Sequence, residues 1–89
     1  MTREELEKEL KRTIVTSLDL EDLDEDGIGT DVPLFGEGLG LDSIDALELG
    51  MAIRKRFGVS FSSDPAENRR IFRSVSTLAD FVEKENPAA

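Results

Sequence analysis

Residues 40–58 read GLDSIDALELGMAIRKRFG, and this stretch decides the fold. Asp42 is a favourable helix N-cap, and Asp45 three residues later completes an acidic form of the capping box. Gly58 follows Phe57 and can adopt the left-handed conformation that ends many helices. The stretch therefore predicts a helix that begins just after Asp42 and ends at Phe57 and Gly58.

The apolar residues of this helix fall into two stripes. The first stripe consists of Ala46, Leu49, Ile53 and Phe57, and its residues Leu49, Ile53 and Phe57 are predicted to form the core face. The second stripe consists of Ile44, Leu47 and Met51. A stripe at helical spacing usually belongs to the core, so spacing alone does not assign the second one another role.

Upstream, the pattern predicts a first helix over residues 3–18 and a long loop over residues 19–41. The helix is predicted from apolar residues at every fourth position, which are Leu6, Leu10, Ile14 and Leu18. Glycine and proline are frequent in the loop, which argues against regular structure there. We expect the loop to pack across the helices through its apolar residues Val32, Leu34, Phe35 and Leu39.

Downstream, Asp64 and Pro65 predict the start of a short third helix that runs to about Phe72. Ser74 is predicted to cap a fourth helix, whose buried side is Val75, Leu78, Phe81 and Val82. One extended step at Val59–Phe61 has no partner strand. The expected fold is all-α, a four-helix bundle with a short third helix and a long loop between helices one and two. One domain is expected over 1–89, with 1–2 and 86–89 frayed.

Composition excludes several functional classes. Cysteine and histidine are absent, which removes disulfides, Cys/His zinc sites and Ser-His or Cys-His catalytic pairs. Few side chains remain for proton transfer near neutral pH, so we do not expect an enzyme. No apolar run approaches the roughly 20 residues that cross a bilayer, and the glutamate-rich N-terminus does not resemble a signal peptide. These features predict a cytoplasmic protein without stable membrane insertion.

The acidic charge is concentrated in one part of the chain. Eleven acidic residues and no Lys or Arg lie between Thr13 and Ile53, so this segment has a net charge of −11. The whole chain has a net charge of −9, because the residues on either side of the segment are slightly basic in sum. Such a field disfavours nucleic acid and accelerates encounter with basic protein surfaces. An ordinary solubilising surface is the other interpretation, and a monomer is expected.

Ser43 has a chemical setting of its own. As the first residue after the Asp42 cap, it would present its hydroxyl at a helix N-terminus. A phosphodiester attached there would lie near unpaired backbone N–H groups and the positive end of the helix dipole. Asp-Ser at a helix start is common, so a plain cap is the other interpretation.

Residues 41–49, LDSIDALEL, resemble the attachment motif of the acyl carrier protein family, usually written Asp-Ser-Leu, with Ile44 in the leucine position. The resemblance covers nearly the whole chain, from the charged first helix and the Leu34-Phe35-Gly36 turn to the final helix at Ser74-Val75. It implies that Ser43 accepts 4'-phosphopantetheine, covalently bound and derived from coenzyme A, from a separate phosphopantetheinyl transferase. Asp42 matches the acid that precedes the family's serine.

The resemblance also implies partners. They are acyl-transferring, condensing or acyl-activating enzymes with basic docking surfaces. The matching contact positions are Ile44, Asp45, Leu47, Glu48 and Met51. An apolar cleft beside the motif helix often holds the acyl chain in this family. The chain would then carry cargo and perform no chemistry itself, and a peptidyl or D-alanyl carrier remains an alternative.

Two basic groups depart from the family's pattern. They are Arg54-Lys55-Arg56 at the end of the second helix and Arg69, Arg70 and Arg73 near the third. One interpretation is local pairing with the acidic loop or with Glu67. The other is a dedicated biosynthetic pathway with its own enzymes.

A calcium site is the main alternative outside the carrier proteins. The segment from Asp22 to Pro33 reproduces the first half of an EF-hand loop. The second half departs from that pattern, because position twelve is Pro33 instead of glutamate and position eight is Gly29. The sequence therefore predicts no metal site.

Overall fold

The computed structural model describes residues 1–20, 27–35 and 40–88. These ranges contain four helices, namely α1 (Arg3–Ser17), α2 (Ser43–Phe57), α3 (Pro65–Ile71) and α4 (Val75–Glu85). They contain no strand, only an isolated bridge between Phe35 and Leu41. The predicted all-α class, with its short third helix and long first connection, is confirmed. Within the same ranges, no helix has the length and apolar character that crossing a membrane requires.

Side-chain caps fix where the helices begin. Thr2, Asp42 and Ser74 each form a full capping box with the residue three positions later. Asp64 accepts a hydrogen bond from the Ala66 N–H, and proline follows it in the first turn of α3. At the other end of α2, Gly58 has φ of 68°, where a side chain would be strained. The predicted limits of α2 are thus confirmed at both ends.

The core forms where α1 packs against α2 and α4, while α3 packs against α4. Its fully buried side chains include Leu10, Ile14, Leu49, Ile53 and Leu78. Phe81, predicted to be buried, is only half-buried. The core face of α2 is Leu49, Ile53 and Phe57, as predicted, and Ala46 on the same stripe is half-buried.

The loop before α2 contributes two buried side chains, Ile28 and Leu34. Leu34 was predicted and Ile28 was not. The prediction for Val32 was wrong, because this side chain is 42% exposed. It lies over Gly29, where an added Cβ would stand 2.4 Å from Val32 Cγ2. Phe35, also predicted, is half-buried and packs against the core, and Leu39, the last predicted anchor, lies outside the described residues.

Hydrogen bonds engage both segments that were expected to be frayed. Thr2 caps α1. The Asn86 side-chain amide donates to the Phe57 carbonyl oxygen at 2.7 Å and so connects the end of α4 to the end of α2.

Candidate attachment site and adjoining groove

Ser43 occupies the first position of α2 and is exposed. Asp42 Oδ1 accepts from the Asp45 N–H at 2.9 Å, and Asp45 Oδ2 accepts from the Asp42 N–H at 3.0 Å. This reciprocal pair holds the start of the helix without using the Ser43 hydroxyl. In the described part of the chain, neither that hydroxyl nor the N–H groups of Ser43 and Ile44 have a hydrogen-bond partner. These groups are therefore available to a ligand.

The segment before Ser43 is anchored to the rest of the fold. The Leu41 N–H donates to the Leu34 carbonyl at 3.1 Å, and the Leu34 N–H donates to the Arg73 carbonyl at 2.9 Å. Leu41 is buried, whereas Asp42 and Ser43 are exposed. The buried leucine and its bonds thus fix the backbone while the next two residues remain on the surface.

The second stripe of α2 lies on the surface. Ile44 is 67% exposed, Leu47 66% and Met51 65%. Glu48 is exposed beside them, whereas Asp45 is half-buried because its carboxylate takes part in the cap. The result is an apolar strip with a carboxylate next to it, and its role in partner binding stays a prediction.

A groove of about 810 Å³ opens beside Ser43 between α2 and α3. Its α2 wall includes Ser43, Ala46, Leu47, Gly50 and Arg54, and its α3 wall includes Pro65, Asn68 and Arg69. Ala46, half-buried on the same stripe as the core residues of α2, also lines this groove.

Aromatic rings line the groove, and one of them, Phe61, belongs to the segment Val59–Phe61 that was predicted only to be extended. The Phe61 and Phe72 rings lie 4.8 Å apart, and Phe61 also stacks on Phe81 at 4.9 Å. Gly50 faces two of these rings, since a Cβ there would lie 3.4 Å from Phe72 Cζ and 3.8 Å from Phe61 Cε2. This aromatic lining was not predicted from the sequence. The one available signal was that Phe61 lies in an extended step with no partner strand, so its side chain had no predicted contact.

The basic residues that depart from the family's pattern are placed differently from one another. Arg70 lies 3.9 Å from Glu67, as the local-pairing interpretation expected, whereas Arg56 forms an ion pair with Glu9 of α1, which that interpretation did not name. For Arg54, Arg69 and Arg73 the described residues supply no carboxylate at ion-pair distance. Arg54 and Arg69 line the groove, whereas Arg73 lines a smaller neighbouring pocket.

The calcium alternative falls largely outside the described residues. Positions 22–26, which would supply its first ligands, are not among them. The described residues contain no group of three or more carboxylates placed to hold a metal ion.

Comparisons with known proteins identify the family. A family model described as "Phosphopantetheine attachment site" matches residues 8–83. The acyl carrier protein of Buchnera aphidicola subsp. Acyrthosiphon pisum (strain Tuc7) is 32% identical over 81 residues, which cover 91% of this chain and 92% of that protein.

Two further relatives match over shorter segments. The acyl carrier protein of Phytoplasma australiense is 46% identical over 50 residues, 56% of this chain and 62% of that protein. Acyl carrier protein 4, chloroplastic, of Arabidopsis thaliana is 32% identical over 66 residues, 70% of this chain and 48% of that protein. The chain thus spans less than two thirds of these two relatives.

The family match and the nearly full-length relative confirm the family and the kind of prosthetic group that residues 41–49 predicted. The residue that carries the group stays a prediction. With four helices, an exposed serine at the start of α2 and a match over most of its length, the chain belongs to the acyl carrier protein family.

Proposed function

We propose that Ser43 carries 4'-phosphopantetheine and that the chain transports acyl groups as thioesters between acyl-handling enzymes. A separate phosphopantetheinyl transferase supplies the arm from coenzyme A. Ser43 Oγ loses its proton to that enzyme and forms a phosphodiester, and 3',5'-adenosine bisphosphate leaves. When bound, the group supplies the reactive thiol that a chain without cysteine lacks.

The exposed hydroxyl of Ser43, without a described hydrogen-bond partner, is the observation that carries this proposal. The N–H groups of Ser43 and Ile44, which have no hydrogen-bond partner among the described residues, and the positive end of α2 favour a phosphate at this place. A charge at a helix terminus is typically stabilised by about 0.3–1 kcal/mol. The residues present therefore fit the phosphodiester of the prosthetic group.

The groove fits the remainder of the loaded arm. It begins at Ser43, and apolar and aromatic side chains form much of its lining. Each methylene that leaves water for such a surface contributes up to about 0.8 kcal/mol. We therefore assign this groove to the acyl chain, whose thioester would be shielded from water there.

Attachment is tested by incubating the chain with a phosphopantetheinyl transferase, Mg²⁺ and coenzyme A and measuring the intact mass. The wild-type chain is expected to gain the mass of one arm. Ser43→Ala should gain nothing and should still fold, because the hydroxyl supports no described contact. Ser60→Ala, also at an exposed serine, is the matched control and should gain the arm. A wild-type chain that stays bare, or a Ser43→Ala chain that is modified, contradicts the proposal.

The surface strip on α2 is proposed as the docking site for partner enzymes. Ile44, Leu47 and Met51 supply a small apolar patch, and Asp42 and Glu48 supply exposed negative charge that suits basic partner surfaces. Glu48→Lys should lower kcat/KM for the transferase, most strongly at low salt. Glu85→Lys, the same charge change at the exposed end of α4, is the control. Equal effects of the two substitutions would contradict a docking site on α2.

A carrier of this kind performs no catalysis itself, and we propose that role for this chain. The cytoplasmic location, the single domain over 1–89 and the dedicated pathway stay predictions. Intact mass of the loaded chain isolated from cells would identify the cargo and with it the class of pathway.

A further inference from the structure

Arg69 lies on the α3 wall of the groove. It lines the same groove as Asp42 and Ser43, and it lines the neighbouring pocket together with Phe35. Phe35 pairs with Leu41 in the isolated bridge. Because Leu41 is two residues before Ser43, this part of α3 lies beside the segment that presents the serine.

Arg69 is also an unpaired cation within the described part of the chain. Its side chain is exposed, and no described carboxylate lies at ion-pair distance. The adjacent Arg70, in contrast, lies 3.9 Å from Glu67. Among the described residues, no carboxylate therefore competes with an anion in the groove for Arg69.

Arg54, the other arginine of the groove, is too far from the serine for this role. It follows Ser43 by eleven residues on the same helix, which corresponds to about 16 Å along the helix axis. That distance exceeds the length of an extended arginine side chain. Among the arginines that line the groove, Arg69 is thus the one placed for a group attached to Ser43.

A nearby cation would stabilise the phosphodiester of the arm. The phosphodiester adds a negative charge directly beside Asp42, and like charges at this distance repel each other. A guanidinium offers paired N–H donors whose geometry matches two phosphate oxygens. We infer that Arg69 binds the phosphodiester attached to Ser43 and so holds the base of the arm at the mouth of the groove. This inference rests on the proposed attachment and makes Arg69 a positioning residue.

The test compares apo and holo forms of the wild type, Arg69→Gln and Arg73→Gln. Arg73 is a matched control, because it is exposed, lacks a described ion-pair partner and does not line the groove. Attachment of the arm should lower the equilibrium constant of unfolding in both proteins. The decrease should be about threefold larger in the wild type than in Arg69→Gln, which is the size expected for one exposed ion pair. The difference should disappear in 1 M salt, where the screening length is about 3 Å.

A second measurement reads the phosphate directly. The phosphorus-31 resonance of the holo protein should move in Arg69→Gln, stay in Arg73→Gln and return part of the way in Arg69→Lys, which keeps the charge without the paired donors. If Arg69→Gln changes apo and holo stability equally, the residue is merely structural and the inference is wrong. Identical phosphorus spectra for the wild type and Arg69→Gln would also overturn it. A wild-type chain that gains no arm overturns the proposed function first and this inference with it.

Discussion

The two sides of α2 are built in opposite ways. On the side that faces α1, Leu49, Ile53 and Phe57 are buried in the core. On the other side, Leu47 and Met51 remain mostly exposed and line the groove. One helix therefore serves the folded core with one face and the proposed site with the other. Stability and function are separated across the width of a single helix.

Polar contacts follow the same division. Arg3 on α1 bonds to Glu7 at 2.8 Å and to Asp80 on α4 at 2.9 Å, and it also pairs with Glu83. The bonds to Glu7, Glu83 and Asp80 raise the pKa of Arg3, so its guanidinium keeps its charge at every ordinary pH. Between α2 and α3, in contrast, the described residues form no side-chain hydrogen bond or ion pair. The groove walls can therefore separate without breaking such a bond.

Substitution of one leucine on each side gives the largest expected difference. Leu10→Ala removes a fully buried side chain of α1 and should lower the free energy of unfolding by about 2–5 kcal/mol. Leu47→Ala makes the same change on the groove rim and should alter it by no more than about 0.5 kcal/mol. Urea unfolding of both variants provides the measurement. Comparable losses would show that the groove side also supports the fold.

The sequence predicted the limits of α2 and the placement of Ser43 because both depend on local chemistry. Asp42, Asp45 and Gly58 act within a few residues of their own positions, so their roles can be read without the rest of the fold. The second stripe needed the family resemblance in addition, because helical spacing alone does not distinguish an exposed stripe from a buried one.

The groove lining was not predictable in the same way. Phe61 contacts Phe72 and Phe81, residues 11 and 20 positions away, and such pairs depend on how the helices pack. Val32 and Ile28 illustrate the same limit. Both are β-branched residues of a glycine-rich loop, and only the packed structure decides that Ile28 enters the core while Val32 covers Gly29.

Gly50→Ala should stabilise the apo protein and reduce the room for cargo. Alanine in a helix is favoured over glycine by up to about 1 kcal/mol. The added methyl would meet Phe72 and Phe61 at ordinary contact distances of 3.4 and 3.8 Å. It would also project into the groove, so a long acyl chain should raise the melting temperature less in the variant than in the wild type.

The readout for Gly50→Ala is thermal unfolding of the apo form and of forms loaded with a short and a long saturated chain. Ala52→Gly makes the reverse change two residues further along α2, away from the groove lining, and controls for helix propensity. An equal benefit from the long chain in the wild type and in Gly50→Ala would show that the chain does not occupy this groove.

The smallest predicted effect concerns acid and the α1 side of the molecule. The Thr2 N–H donates to Glu5 Oε1 at 3.2 Å, and the hydrogen bonds from Thr2 lower the pKa of Glu5. Because the folded-state pKa lies below the unfolded one, this contribution to stability is present above the ordinary glutamate value, about 4.3. It is lost as the pH falls through the lowered pKa of the folded state.

Glu5→Gln keeps an acceptor for the Thr2 N–H but removes the titrating group, so its stability should fall less steeply below about pH 4.3. Glu4→Gln is the matched control, since Glu4 lies on the same turn and has no hydrogen bond to Thr2. Urea unfolding from pH 3 to 7 measures both slopes. Equal slopes would mean that the cap of α1 does not contribute to the acid response.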